Sequence, residues 1–149
     1  IVGELYTASI GVGYTLPFQL FAAEWIDADA LAKNLNGLNL PGIIFRPVHF
    51  KPYYSTSVGK MVHGVQIHFT DVEKAPLSIL QFYILQEAHK LWPDKNVFEM
   101  CEPSRLSMFD KVCGTDLIRK EFKASAIEGL WTREIPAFRK KAEKYFLYN

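Results

Sequence analysis

Val65-Gln66-Ile67-His68-Phe69-Thr70 alternates without a break, so Val65, Ile67 and Phe69 face one side of an extended chain and Gln66, His68 and Thr70 the other. It is the clearest strand in the sequence, with one face for a core and one polar face. Upstream lies a second β-branched and aromatic run, Ile43-Ile44-Phe45-Arg46-Pro47-Val48-His49-Phe50. Pro47 has no N–H to give to a ladder, which predicts an edge strand or a bulge there. Residues 1–7 have no helical period and run into glycines, so they are read as a further strand entering a loop, with Glu4 inside it. Asp27 is a suitable N-cap for a helix over 28–36, where Leu31, Leu35 and Leu38 share a face and Gly37 supplies a stop.

Beyond these strands the pattern turns helical. Leu77, Leu80, Ile84, Ala88 and Leu91 keep helical spacing up to Trp92-Pro93, where the proline ends the run. Residues 106–112 and 115–122 form two short helical stretches around Gly114, and Ser125-Ala126-Ile127-Glu128 fits a capping box. A last segment places Trp131, Ile135, Phe138, Ala142 and Phe146 on one stripe, expected to be buried. Strands first and helices afterwards predict an α+β fold, a small mixed sheet from the N-terminal half packed by helices from the C-terminal half. The 149 residues suit a single domain, 1–149.

Lys plus Arg number 17 against 16 Asp plus Glu, and no basic run interrupts the chain, which argues against nucleic acid as a partner. The longest apolar stretches fall far short of the roughly 20 residues needed to span a bilayer, so the chain is read as a soluble domain. It starts at Ile1 with no targeting signal, which is expected to have been removed or to lie upstream. Two cysteines, Cys101 and Cys113, exclude a disulfide framework and leave open either one bridge or two free thiols.

The segment Ser9-Ile10-Gly11-Val12-Gly13-Tyr14-Thr15-Leu16-Pro17-Phe18 holds two glycines that bring backbone N–H groups near a ligand, with Thr15 as a hydroxyl donor and Pro17 as a stiffener. It matches neither the dinucleotide fingerprint nor a P-loop, and a plain glycine-bearing turn accounts for it equally. Glu4 beside it is either an anchor for the loop or a carboxylate that bonds sugar hydroxyls. His49, His63, His68 and His89 show no H-x-x-x-H or H-E-x-x-H spacing, so neither a metal nor a cofactor is expected. Residues 53–63 read as a long loop, and His63 at its end is a contact candidate. His68 is a hydrogen-bonded sheet residue or a ligand contact, and Arg46 needs a carboxylate partner or a cleft to line.

Taken together, these segments resemble the carboxy-terminal domain of the NamZ/YbbC-like family of exported bacterial exo-β-N-acetylmuramidases. The resemblance rests on Glu4 with Ser9-x-Gly11-x-Gly13-x-Thr15-x-Pro17-Phe18, on Ala23-x-Trp25-Ile26-Asp27, and on Leu40-Pro41-Gly42-Ile43-x-Phe45-Arg46-Pro47. It continues through His63-Gly64-Val65-Gln66-Ile67-His68-Phe69-Thr70-Asp71, Phe109-Asp110, Gly114-Thr115-Asp116 and Tyr145-Phe146-Leu147-Tyr148. It implies a two-domain exported enzyme, periplasmic or extracellular. Its Rossmann-like N-terminal domain, absent from this chain, supplies the catalytic acid, and this part closes a cleft on a terminal N-acetylmuramic acid of a muropeptide or peptidoglycan. Glu4, Ser9, Gly11, Gly13, Thr15, Arg46, His63 and His68 are then the expected substrate contacts, with Glu4 as a supporting catalytic candidate. The chain departs from the family at Val12, where the loop carries arginine, and at Tyr6-Thr7-Ala8, where members read Gly-Thr-Asn. That departure keeps open a non-catalytic carbohydrate-binding or interaction domain.

Overall fold

The alternating stretch forms the middle of the sheet. A computed structural model describes residues 2–122 and 127–147, and in it β1 (Leu20–Ala23), β2 (Ile43–Phe50) and β3 (Val62–Phe69) form one sheet in the order β1-β3-β2. Both pairings are antiparallel, with Leu20 opposite Gln66, and Phe45 and Arg46 opposite Ile67 and Gln66. The fold is α+β as expected, although the sheet is antiparallel throughout rather than mixed. Pro47 sits in β2, which is an edge strand, where a missing N–H costs no ladder bond.

Two readings of the first 23 residues change. Residues 2–5 are not a strand but a turn of 3-10 helix, Val2–Leu5, which buries Val2 and Leu5 three positions apart on one side. The third strand is Leu20–Ala23, whose four residues are all buried and therefore show no alternation to read.

One face of the sheet presents Phe21, Ala23, Ile43, Phe45, Val65 and Ile67 to the main core. Helix α1 (Ala28–Gly37) brings Leu31 and Leu35 to it, and α2 (Leu80–Leu91) brings Leu80, Ile84 and Leu85. Asp27 caps α1 as expected, its carboxylate accepting from the Ala30 N–H at 3.0 Å. The α2 helix stops before Pro93, but Leu77 stays outside it and is exposed. The second face of the sheet is polar only at one end. Leu20, Ala22, Phe50 and Val62 form a smaller cluster there with Leu16 and Val48, and Gln66 is buried.

The outer edge of β2 is closed by a side chain. Asn36 Nδ2 donates to the Phe45 carbonyl at 2.8 Å, and the Phe45 N–H donates to Asn36 Oδ1 at 2.9 Å. One amide thus fills the place of the next strand and blunts an edge that would otherwise pair with another chain.

The remaining helices are α3 (Val97–Met100), α4 (Pro103–Cys113), α5 (Leu117–Glu121), α6 (Ile127–Thr132) and α7 (Ile135–Ala142), followed by a short 3-10 turn at Glu143–Tyr145. Phe109, Ile118 and Ile127 drive α4, α5 and α6 into the main core, and Arg119 holds Asp110 through two N–H···O bonds that tie α5 to α4. The capping box read at Ser125 lies outside the described residues. The expected burial of the last stripe holds only at its start, where Trp131 packs against the core beside Phe82; beyond it Phe138 is 70% exposed, and Ile135 and Phe146 are exposed too. Among the described residues no element covers that side of α7, so its period of 3.6 is present without a partner.

Cys101 and Cys113 are both free. Burial pushes the Cys113 thiol up to about 11. A thiol raised in the folded state contributes stability that is present below its ordinary pKa and lost as the pH climbs toward 11. Alkaline urea titrations between pH 8 and 11 are therefore expected to show a decline that Cys113→Ala flattens. Replacing Asn36 by alanine leaves the Phe45 N–H and C=O without their partner and is expected to cost about 1–3 kcal/mol in urea unfolding. A cost below about 0.5 kcal/mol would remove this amide from the edge.

Candidate functional site

The loop between Ser9 and Phe18 is built by its own backbone. Ser9 exchanges both backbone hydrogen bonds with Ala22, N–H to O at 2.7 and 2.9 Å, and so joins the rim of β1. Its side chain is buried, and its Oγ accepts from the Gly11 N–H at 3.5 Å. At the other end the Phe18 N–H donates to the Ile10 carbonyl at 2.8 Å, closing the loop on itself. Gly11 has φ +84°, and a Cβ there would lie 2.2 Å from the Leu16 carbonyl oxygen, so only glycine fits. Tyr14 lays its ring on Phe50 at 4.7 Å between centroids, which fastens the loop to the second face of the sheet.

A second loop, 51–61, joins β2 to β3 and meets the first. Gly13, at φ +78°, is pressed against it so closely that a Cβ would stand 2.4 Å from the Tyr54 Cβ. Glu24 holds this second loop from below, accepting from Ser57 Oγ at 3.1 Å and pairing with Lys60 at 3.2 Å.

Where the two loops approach the 3-10 turn, they enclose a cleft of about 220 Å³. Glu4 and Tyr6 line it on one side, Ile10 and Val12 on another, and Tyr54 and Thr56 on a third. Glu4 thus shares the cleft with Ile10, Val12 and Phe18 of the glycine loop, whereas Ser9, Gly11 and Gly13, expected as contacts, are not among its lining residues. Tyr6 is braced from α4 by Arg105, whose guanidinium lies 4.1 Å over its ring. Thr56 lines the cleft, and its Oγ1 is buried with no hydrogen-bond partner within the protein. The sequence marks Tyr6 as a departure from the family but gives no sign of Thr56 or Arg105 beyond the unusual length of the 51–61 loop.

The other expected contacts lie elsewhere. Thr15 is exposed on the loop, outside the cleft lining. Arg46 donates from Nη2 to Gln66 Oε1 at 2.5 Å across the β2–β3 ladder, so its partner is an amide and not the carboxylate anticipated. His68, one alternation further on the same face, is exposed opposite Ile44. His63 faces His49 across the ladder, with 2.7 Å between the two Nδ1 atoms. The site residues thus fall into a cleft group (Glu4 with the loop), a sheet-face pair (Arg46 and His68) and a histidine pair (His63 with His49). Among the described residues, no three His, Cys, Asp or Glu side chains gather as metal ligands, and no helix is long and apolar enough to cross a membrane.

Over residues 1–148 the sequence matches the family model described as "Exo-beta-N-acetylmuramidase NamZ, C-terminal". This chain belongs to that family. The NamZ C-terminal domain is related to peptidoglycan muramidases through a protein of Bacillus subtilis (strain 168), peptidoglycan beta-N-acetylmuramidase NamZ. The two are 32% identical over 144 residues, a span covering 94% of this chain and 34% of that one. It is also similar to a DUF1343 family protein of Bacteroides fragilis NCTC 9343, known from a crystal structure. There the identity is 47% and the TM-score 0.91, over 99% of this chain and 40% of that one. The chain therefore spans about a third of the length of the curated relative.

Substituting Gly13 by alanine forces a Cβ into Tyr54 and strains a left-handed backbone, which is expected to lower stability by about 1–3 kcal/mol and to raise amide exchange across 51–61. Unchanged protection in that loop would show that the two loops are not held by this contact.

Proposed function

We propose that this domain forms one wall of the substrate cleft of an exported peptidoglycan-directed glycosidase that releases terminal N-acetylmuramic acid. In that enzyme a Rossmann-like N-terminal domain supplies the catalytic acid. The observation that carries the reading is the shared cleft: a carboxylate (Glu4), an exposed serine (Ser55) and exposed aromatic surface (Tyr54) converge where two loops meet. Carboxylates and hydroxyls bond sugar hydroxyls, and a flat ring stacks on the apolar face of a pyranose. Ser9, Gly11 and Gly13 serve by holding the loop that shapes the cleft, whereas Thr15, Arg46, His63 and His68 are available to more distant parts of a muropeptide. Glycosidic cleavage ordinarily uses two carboxyl groups, and among the described residues Glu4 is the carboxylate lining this cleft. The second belongs to the rest of the enzyme, so the isolated chain is expected to bind without cleaving.

Val12 favours a second reading. It places a neutral side chain in the cleft lining where the family loop carries a cation, which suits a carbohydrate-binding domain that has lost activity. A chromogenic N-acetylmuramic acid glycoside offered to the full-length protein separates the two. Release of the chromophore, depressed at least tenfold by Glu4→Gln, supports the glycosidase. No release at high enzyme loading, together with saturable muropeptide binding by the isolated chain, supports the binding domain.

A further inference from the structure

The histidine pair lies outside the residues that line the cleft. His49 is the penultimate residue of β2 and His63 the second of β3, so they flank the root of the 51–61 loop whose Tyr54 and Thr56 wall the cleft. The ladder register places them opposite one another, and alternation from Pro47 and Val65 puts both on one face. Their rings meet edge to face, centroids 4.9 Å apart, with the two Nδ1 atoms at 2.7 Å. At that distance one Nδ1 carries a proton and the other a lone pair, and neither ring is sealed from solvent: His49 is exposed and His63 half-buried.

We propose that His49 and His63 form a two-imidazole site for a divalent transition metal of the Cu²⁺ or Zn²⁺ class. Metal–nitrogen bonds of about 2.0–2.1 Å need ligand nitrogens about 2.8 Å apart in a square-planar site and about 3.4 Å apart in a tetrahedral one. The observed 2.7 Å already matches the first spacing, and rotation of both rings about their side-chain torsions turns the two Nδ1 lone pairs from each other toward a common ion. The ring that donates in the hydrogen bond moves its proton from Nδ1 to its own Nε2, so that two Nδ1 lone pairs meet the ion with no net loss of protons. Two imidazole nitrogens select the Cu²⁺ and Zn²⁺ class over Mg²⁺ or Ca²⁺. Since no third protein ligand joins the pair among the described residues, water completes the coordination and the ion exchanges readily. Its structural consequence is a staple at the base of the 51–61 loop, beside the Glu24 contacts to Ser57 and Lys60.

The test is titration of the chain with CuSO₄ alone, followed by calorimetry and by electron paramagnetic resonance, with amide exchange read in parallel. One Cu²⁺ per chain is expected, with superhyperfine structure from two nitrogens and slower exchange across 51–61. His49→Gln and His63→Gln are each expected to weaken binding by about tenfold or more, because each removes the second point of attachment. Either variant retaining the wild-type affinity, or a wild-type spectrum with one nitrogen or none, overturns the site. The spectrum of the unaltered chain decides the matter even if a variant fails to fold.

Discussion

The structure depends on the need of β3 to be covered on every side. It has a strand on each edge, so its backbone is satisfied, but a three-stranded antiparallel sheet buries nothing until layers close over its faces. On one face Val65 and Ile67 draw in α1 and α2, and that side accounts for the main core. On the other, Val62 lies with Leu20, Ala22 and Phe50 under Leu16 and the Tyr14 ring, so the cover there is a loop and not a helix. The glycine loop is thus part of the packing before it is part of any site. Its shape is dictated by what lies beneath it.

That double duty explains which elements could be read directly. α1 announces itself because it has one buried and one exposed side, and β3 because polar Gln66 and His68 alternate with Val65, Ile67 and Phe69 even where both faces are covered. β1 is buried on both faces and short, so Leu20–Ala23 carries no period. The 3-10 turn at Val2–Leu5 buries two residues three apart, too short a pattern to separate from a strand. The stripe of α7 shows the opposite failure: a helical period from Ile135 to Phe146 is plain, yet a period reports that a face is apolar and not that something covers it.

The site was legible to a similar degree and for the same reason. Glu4 and the Ser9 to Phe18 segment are near in sequence, and nearness in the chain carried over to the cleft. Thr56 and Tyr54 arrive from a loop about 50 residues away, and His49 meets His63 only through a ladder register that cannot be counted off in advance. Spacing rules for metal ligands describe residues on one helix or one turn; they are blind to pairs made across strands. Arg46 shows a further limit, since a charged residue in an apolar run does need a partner, but nothing in the run says that Gln66 will serve.

Val12 is the position where packing and chemistry pull apart. An arginine on this loop would reach the cleft as a fixed positive charge close to Glu4, and each would hold the other in its ionised form. With valine, the lining has a carboxylate, hydroxyls and rings, and the nearby guanidinium of Arg105 is engaged over the Tyr6 ring. Such a cleft can still orient a neutral sugar ring through its hydroxyls, because that needs acceptors and a flat apolar surface. Drawing in an anionic group asks for a cation, and the guanidinium nearest the described lining, that of Arg105, would have to leave the Tyr6 ring to supply it. Gly11 and Gly13 hold the loop in its shape, and Val12 between them places a neutral side chain in the cleft lining.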